Sequence, residues 1–250
     1  MSFRNDLREI FLEMTAGRAG TAEIGSWYLH IRKIKVAEEL TVKGIVIFIA
    51  PQSEYSKRAT ILSDKLGKIT AFAQGAAKIN SRLIGKLRPM TAAVFRISKG
   101  RSAYNIHGAE LIDPFLELSR DPEDSFYGTY FLEMADYFAQ EGMVEEEAKS
   151  MLNLLFLSLD ALRKGQLDRR LIRAVYELRL LVTEGEYTEA PKRGPKELHE
   201  LWRHVVSSPL SKLFDREHYE DSELCSLFSD EAIAMSKELC RHEFRSRRLL

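Results

Sequence analysis

Long apolar runs are missing from this sequence. No stretch of its 250 residues contains the roughly 18 consecutive apolar residues that a membrane span needs. The opening, MSFRNDLREIFLEM, lacks the basic-then-apolar layout of a secretory signal, so the protein is expected in the cytoplasm with no membrane partner. Cysteine is scarce as well. Cys225 and Cys240 are too few for a disulfide framework and lack the C-x-x-C spacing of a zinc ribbon, so both are expected as reduced thiols. His218, Cys225, Cys240 and His242 offer the ligand types that zinc takes, but at irregular spacing, and no metal is expected from them. His199 and His204 stand five apart, on different faces of any helix, and read as ordinary polar residues.

Absent motifs weigh against whole classes of chemistry. There is no G-x-x-x-x-G-K-[ST] loop to cradle phosphates, no G-x-G-x-x-G after a strand, no G-x-S-x-G elbow and no H-E-x-x-H. An ATPase, dehydrogenase, hydrolase or zincin would each need one of these, and no other nucleophile–base or metal set is visible. The protein is expected not to be an enzyme and to carry no cofactor.

The formal charge sums to zero, which on its face argues against a polyanionic ligand. Its distribution argues otherwise. Residues 41–109 carry twelve Lys and Arg against Glu54 and Asp64 alone, whereas residues 120–160 carry ten Asp and Glu against Arg120 and Lys149. A polyanion would be drawn to the first segment and repelled by the second. The alternative is two solvated surfaces of opposite bias.

The basic segment reads as strands, with short β-branched and aromatic stretches between Gly, Pro and Lys. Five are expected, at residues 42–50 (VKGIVIFIA), 58–63, 68–74, 91–98 and 102–111, with turns at 64–67 and 99–101 where glycine can supply a positive φ. Five short strands with a longer connection after the third fit a small closed barrel of the OB kind, an SH3-like barrel being the nearest competitor.

Beyond Pro114 the period becomes helical. Asp121-Pro122-Glu123-Asp124 supplies a cap, a first-turn proline and acids that complement the helix dipole. Tyr127, Tyr130, Phe131, Met134, Tyr137 and Phe138 then share one face and read as core. Further helices are expected over residues 144–164, ending at Gly165, and 167–184, ending at Gly185. Another should begin at Pro195 with the stripe Leu198, Leu201, Trp202 and Val205, and a last one at a Ser229 cap carrying Ile233, Leu239 and Phe244. The expected fold class is α+β: an N-terminal five-stranded OB-fold β-barrel over residues 41–118, then a C-terminal all-α helical domain over 119–250. Residues 1–40 are expected to be loosely attached, with a short amphipathic helix around Leu7, Ile10, Phe11 and Met14 as an option.

Candidate DNA-binding residues follow from the barrel. Lys57, Arg58, Lys68, Lys78, Arg82, Lys86, Arg88, Lys99 and Arg101 sit in or beside its loops, where they would pair with phosphates and release counterions. Phe72, Phe95 or Tyr104 could stack bases if outward-facing; alternation alone does not say which, and Tyr104, whose hydroxyl suits a wet boundary, is the candidate taken forward.

Taken in order, TVKGIVI (41–47), EYSK (54–57), LGKIT (66–70), GAAK (75–78), Leu83, LRP (87–89), KGR (99–101) and AELI (109–112) resemble the bacterial RecO family. The helical YELRLL (176–181) and the basic tail FRSRRLL (244–250) extend the likeness over most of the chain. The resemblance implies a nucleoid-associated repair and recombination mediator that binds single- and double-stranded DNA and anneals complementary strands. It also implies contact with single-strand-binding protein (SSB) and work with RecR to help load RecA. An acidic, apolar SSB tail would need a pocket with a basic rim, for which Arg163, Lys164, Arg169, Arg170 and Arg173 are candidates. A protein-interaction adaptor without direct DNA binding is the alternative.

Two departures from the family stand out. Many relatives carry a four-cysteine zinc ribbon where this chain, over residues 191–229, has only Cys225, so a helical replacement without structural zinc is expected. Family members also tend to begin just before Val42, leaving residues 1–40 as an appendage or as sequence ahead of the natural start.

Overall fold

In the computed structural model, residues 38–186, 189–240 and 242–250 are described. The expectations for residues 1–37, including the Leu7–Met14 set, lie outside them. Five strands form the first part: β1 (Glu39–Ser53), β2 (Ser56–Ser63), β3 (Gly67–Ala73), β4 (Ala92–Lys99) and β5 (Tyr104–Asp113). They close into a barrel in the order β1-β2-β3-β5-β4, antiparallel except for the β3–β5 pair. This is the OB fold. Strand β1 starts earlier than its apolar pattern suggests, because Glu39 and Leu40 find ladder partners in Ser98 and Ile97 of β4.

Five helices follow: α1 (Pro122–Phe138), α2 (Glu145–Lys164), α3 (Arg169–Thr183), α4 (Lys196–Ser207) and α5 (Ser222–Leu239). Asp121 caps α1 by accepting from the Glu123 amide, with Pro122 at the first helical position. Gly165 ends α2 in the left-handed region at φ 58°. The stripe of α4 is buried as its spacing requires. The stretch 191–229 contains α4, two short 3-10 turns and the start of α5, so it is helical.

Two expectations about the helices are corrected. The last long helix begins seven residues before Ser229, with Asp221 as its cap; Ser229 lies inside it and donates to the Cys225 carbonyl at 2.7 Å, so its hydroxyl serves the helix wall rather than an end. Phe244 lies beyond that helix, buried against Tyr130 and Tyr137 of α1, and Leu239 is exposed. On α1, Tyr137 is exposed and stacks on His242 at 4.6 Å, and Phe138 is only half-buried.

Barrel and helices share more than a linker. One apolar cluster fills the barrel with Val42, Val46, Ile61, Ile69, Phe95 and Ile97. A second runs from Ile45, Ile47, Leu62, Met90 and Ala92 on the strand side into Tyr130, Phe131, Leu155, Leu159 and Tyr176 of the helices. The β2–β3 turn is stitched to the chain after α1: the Lys68 amide donates to the Gln140 carbonyl at 2.9 Å and Gly142 to Leu66 at 3.1 Å. The Lys68 ammonium lies 3.4 Å from the Asp136 carboxylate. Gly67 makes this approach possible. Its φ is +67°, and a Cβ there would sit 2.3 Å from the Gln140 carbonyl oxygen.

Within the helices one ion pair is fully enclosed. Arg173, 6% exposed, donates to Glu177 at 2.7 Å, and the Tyr130 hydroxyl donates to the same oxygen at 2.6 Å. Burial, together with the negative charge of Glu177 beside it, pushes the Tyr130 phenol far up, so it stays a donor.

Two predictions follow from this packing. Gly67→Ala combines left-handed strain with a backbone clash and should lower stability by about 2–5 kcal/mol in urea unfolding; an unchanged midpoint would show that the seam gives way freely. The His204 and His218 rings are tilted by 34° with centroids 3.8 Å apart. Burial, then the neighbouring His218, holds the His204 pKa below the usual histidine value, against the Lys212 main chain and Asp215. The unfolded chain therefore binds that proton more readily, and stability should fall as pH drops below about 6.5. His204→Gln should flatten that fall, as read from unfolding midpoints between pH 7.5 and 5.5.

Candidate nucleic-acid interface

Which side chains of a barrel face outward is set by strand parity and closure. Closure here comes from two parallel pairs, Ala71 with Tyr104 and Phe72 with Asn105. Ala71 and Tyr104 point inward. Tyr104 is 9% exposed and belongs to the barrel core, as does Phe95, so neither can stack a base. Tyr104 as a base-stacking contact is therefore corrected, and Phe72, half-buried, is the one of the three aromatics on the outer side.

Phe72 has company on that side. Arg58 is directly opposite it on β2, Thr60 is opposite Thr70, and Phe48 of β1 is opposite Thr60. Phe48 is 52% exposed although it follows the buried Val46 by two residues, because a bulge between them reverses the inward–outward order. Tyr55, 48% exposed, stands at the β1–β2 turn with the Lys78 ammonium 5.5 Å from its ring centroid. The reading from sequence missed Phe48 and Tyr55. Tyr55 carried a usable signal, an aromatic at a hairpin apex next to Glu54, whereas the bulge that exposes Phe48 has no signature in the sequence.

The basic candidates divide into two groups. Lys57 pairs across to Ala73, and Lys99 to Tyr104, which itself neighbours Ala71; Lys57 and Lys99 are thus about three interstrand spacings, roughly 15 Å, apart around the barrel. Arg101 is in the turn after β4, and Lys78 is beside the β1–β2 turn, where the Ala77 amide donates to the Tyr55 carbonyl at 3.1 Å. Arg58, Lys78, Arg82, Arg88, Lys99 and Arg101 are exposed, and with Lys57 they take part in no ion pair among the described residues. The β2–β3 face and the β1–β2 and β4–β5 turns are where OB folds hold oligonucleotides. Lys68 and Lys86 belong elsewhere: the first binds Asp136, and the second donates to the Ala109 carbonyl at 2.9 Å, bracing the segment before β4.

Each cation proposed for the rim on the helices has a carboxylate partner within the chain. Arg169 bonds Asp121, Glu123 and Asp124 at 2.6–2.9 Å. Arg163 is held by Asp113 and Asp160, Lys164 by Asp160 at 2.8 Å, and Arg170 by Asp230. Arg173 is buried against Glu177. These cations neutralise the acidic helical segment from within, which the sequence could not show because most of the partners lie about 45–60 residues away.

Among the described residues no three His, Cys, Asp or Glu side chains gather as a metal site, and no helix is long and apolar enough to cross a membrane. Both cysteines are buried free thiols, and burial pushes each pKa up.

Comparison with known proteins agrees with the barrel. A family model described as "Recombination protein O N terminal" matches residues 37–115. A DNA repair protein RecO from Oceanobacillus iheyensis is 30% identical over 80% of this chain and 73% of its own length. The chain belongs to the RecO family. Relatives of the same description from Caldicellulosiruptor bescii and Caldicellulosiruptor saccharolyticus are 30% and 29% identical, over 64% and 60% of this chain. The match spans 65% and 60% of the lengths of these two, and the family model begins close to the described start of β1, at Glu39.

The two aromatic positions separate surface from core. Phe72→Ala should weaken single-strand affinity by about 1–3 kcal/mol, the usual worth of one stacked base. Tyr104→Phe should leave it unchanged. Fluorescence anisotropy with a labelled oligonucleotide measures both, and the reverse pattern would place the strand elsewhere.

Proposed function

We propose that this chain is a non-enzymatic mediator of DNA repair and homologous recombination that binds single- and double-stranded DNA and brings complementary strands together. The observation that carries the reading is the set Lys57, Arg58, Lys78, Lys99 and Arg101, free of ion pairs among the described residues and placed in the loops and at the strand ends of the barrel, with Arg58 opposite the outward Phe72. Such a surface holds phosphates by charge and bases by stacking, and it offers few groups to read base edges, so binding is tolerant of sequence. Annealing follows from the same chemistry, since cations that neutralise one backbone lower the repulsion met by a second. Membership of the family supports the wider role: acting with RecR to help RecA load onto strands coated by SSB. Contact with SSB then uses a surface other than Arg163, Lys164, Arg169, Arg170 and Arg173, whose charges are already matched.

Five phosphate contacts give a log–log salt slope of about −3.5 on single strands, at about −0.7 each. Replacing Arg58 and Lys99 together by Ala should reduce its magnitude by about 1.4. Annealing of two labelled complementary strands coated with the cognate SSB should accelerate in the presence of the protein, fade with added salt and persist in chelator. A protein that neither bound DNA nor accelerated annealing would be an interaction adaptor instead.

A further inference from the structure

The segment 74–91 between β3 and β4 contains neither strand nor helix, yet it is firmly held. Ala76, Leu83 and Leu87 are buried in the barrel core. Successive turns close between Lys78 and Gly75, Ser81 and Lys78, Ile84 and Ser81, and Lys86 and Leu83, with N···O distances of 3.0–3.2 Å. The Lys86 ammonium ties the far side to the Ala109 carbonyl. It is a packed loop with its own anchors.

Its apolar residues divide. Three go into the barrel, while Ile84 is 53% exposed and Ile79, the more fully presented of the two isoleucines, 92%. A single exposed aliphatic is ordinary on a protein surface. An isoleucine presented this fully on a packed loop, with exposed Lys78 beside it, Arg82 three residues on, and no acidic residue between positions 65 and 109, is suited to a particular ligand. Its place is also fixed. The Ala77 amide bonds the Tyr55 carbonyl, so Ile79 stands within two residues, at most about 7 Å of chain, of the turn that borders the β2–β3 face.

We propose that Ile79 is a wedge that recognises the junction between single-stranded and duplex DNA, a reading that rests on the DNA-binding role argued above. Proteins that open or bend duplexes insert aliphatic side chains at base steps while flanking cations hold the backbone. The end of a duplex at a junction exposes the apolar face of a terminal base pair, which an isoleucine can cover without separating an internal step. Lys78 and Arg82 hold the phosphates beside it, and the single strand continues across Arg58 and Phe72. Ile79 lacks the aromatic face that stacks on single-strand bases, so its contribution is confined to the junction.

The test uses the full chain and Ile79→Ser on three DNAs: a duplex with a single-stranded tail, the single strand alone and a blunt duplex. The tailed duplex carries 2-aminopurine at its last paired position. Native protein, whose Ile79 displaces the first unpaired base from the last pair, should brighten the 2-aminopurine, and Ile79→Ser should bind the tailed duplex about tenfold more weakly without brightening it. Single-strand affinity should be unchanged, and Ile79→Met should retain the native behaviour. Equal binding of the tailed duplex by native protein and Ile79→Ser, or an equal loss on all three DNAs, would overturn the wedge and leave the DNA-binding role standing. No binding of any DNA by the native protein would overturn both. The exposure of Ile79 means that thermal unfolding should not distinguish the variants, which removes misfolding as a cause.

Discussion

The barrel closes where β3 and β5 run side by side, Ala71 against Tyr104 and Phe72 against Asn105. The rest of the surface depends on those two pairs. A slip of one residue would either send Tyr104 outward or turn Phe72 into the core, because side chains alternate across a strand. With the register as it is, small Ala71 and Ala73 line the interior and leave room for Phe95, Tyr104 and the loop residues Leu83 and Leu87. Phe72 is then left opposite Arg58 on the outer face of β2 and β3.

Charge is organised by the same division of labour. Lys57, Arg58, Lys78, Lys99 and Arg101 of the barrel have no carboxylate partners among the described residues, while the cations of α2 and α3 are matched to nearby carboxylates. The acidic first turn of α1, which looks like a repelling surface in the sequence, is largely occupied by Arg169. The tail is fastened in a similar way: the Arg245 and Ser246 amides donate to Glu133 at 2.8 and 2.9 Å. Burial pushes that carboxyl up, but the hydrogen bonds from Ser246 and Arg245 together outweigh it and hold the pKa below the ordinary range. A polyanion approaching the protein therefore meets an unbalanced positive field chiefly on the barrel.

The seam between barrel and helices makes the two parts mechanically one. Lys68 and Leu66, on either side of Gly67, bond to the chain after α1, and Met90 of the loop packs near Gly128 of α1, where a Cβ would come within 2.8 Å of its methyl carbon. The loop that presents Ile79 is thus anchored in the barrel core at one point and against the helices at another.

Local pattern by itself determined much of this protein. The five strands, the caps at Asp121 and Gly165, the stripe Leu198, Leu201, Trp202 and Val205, and the concentration of positive charge in the barrel all follow from residues close together in the chain, where propensity and periodicity act. Tertiary structure decided what those residues do. A bulge before Phe48 and the closure at Tyr104 chose which aromatics meet solvent, and ion pairs across long sequence separations removed Lys68, Arg163, Arg169 and Arg170 from the free surface. The physical reason is the same in each case: orientation and charge matching are properties of pairs of segments, and a sequence read along its length contains only one member of each pair at a time.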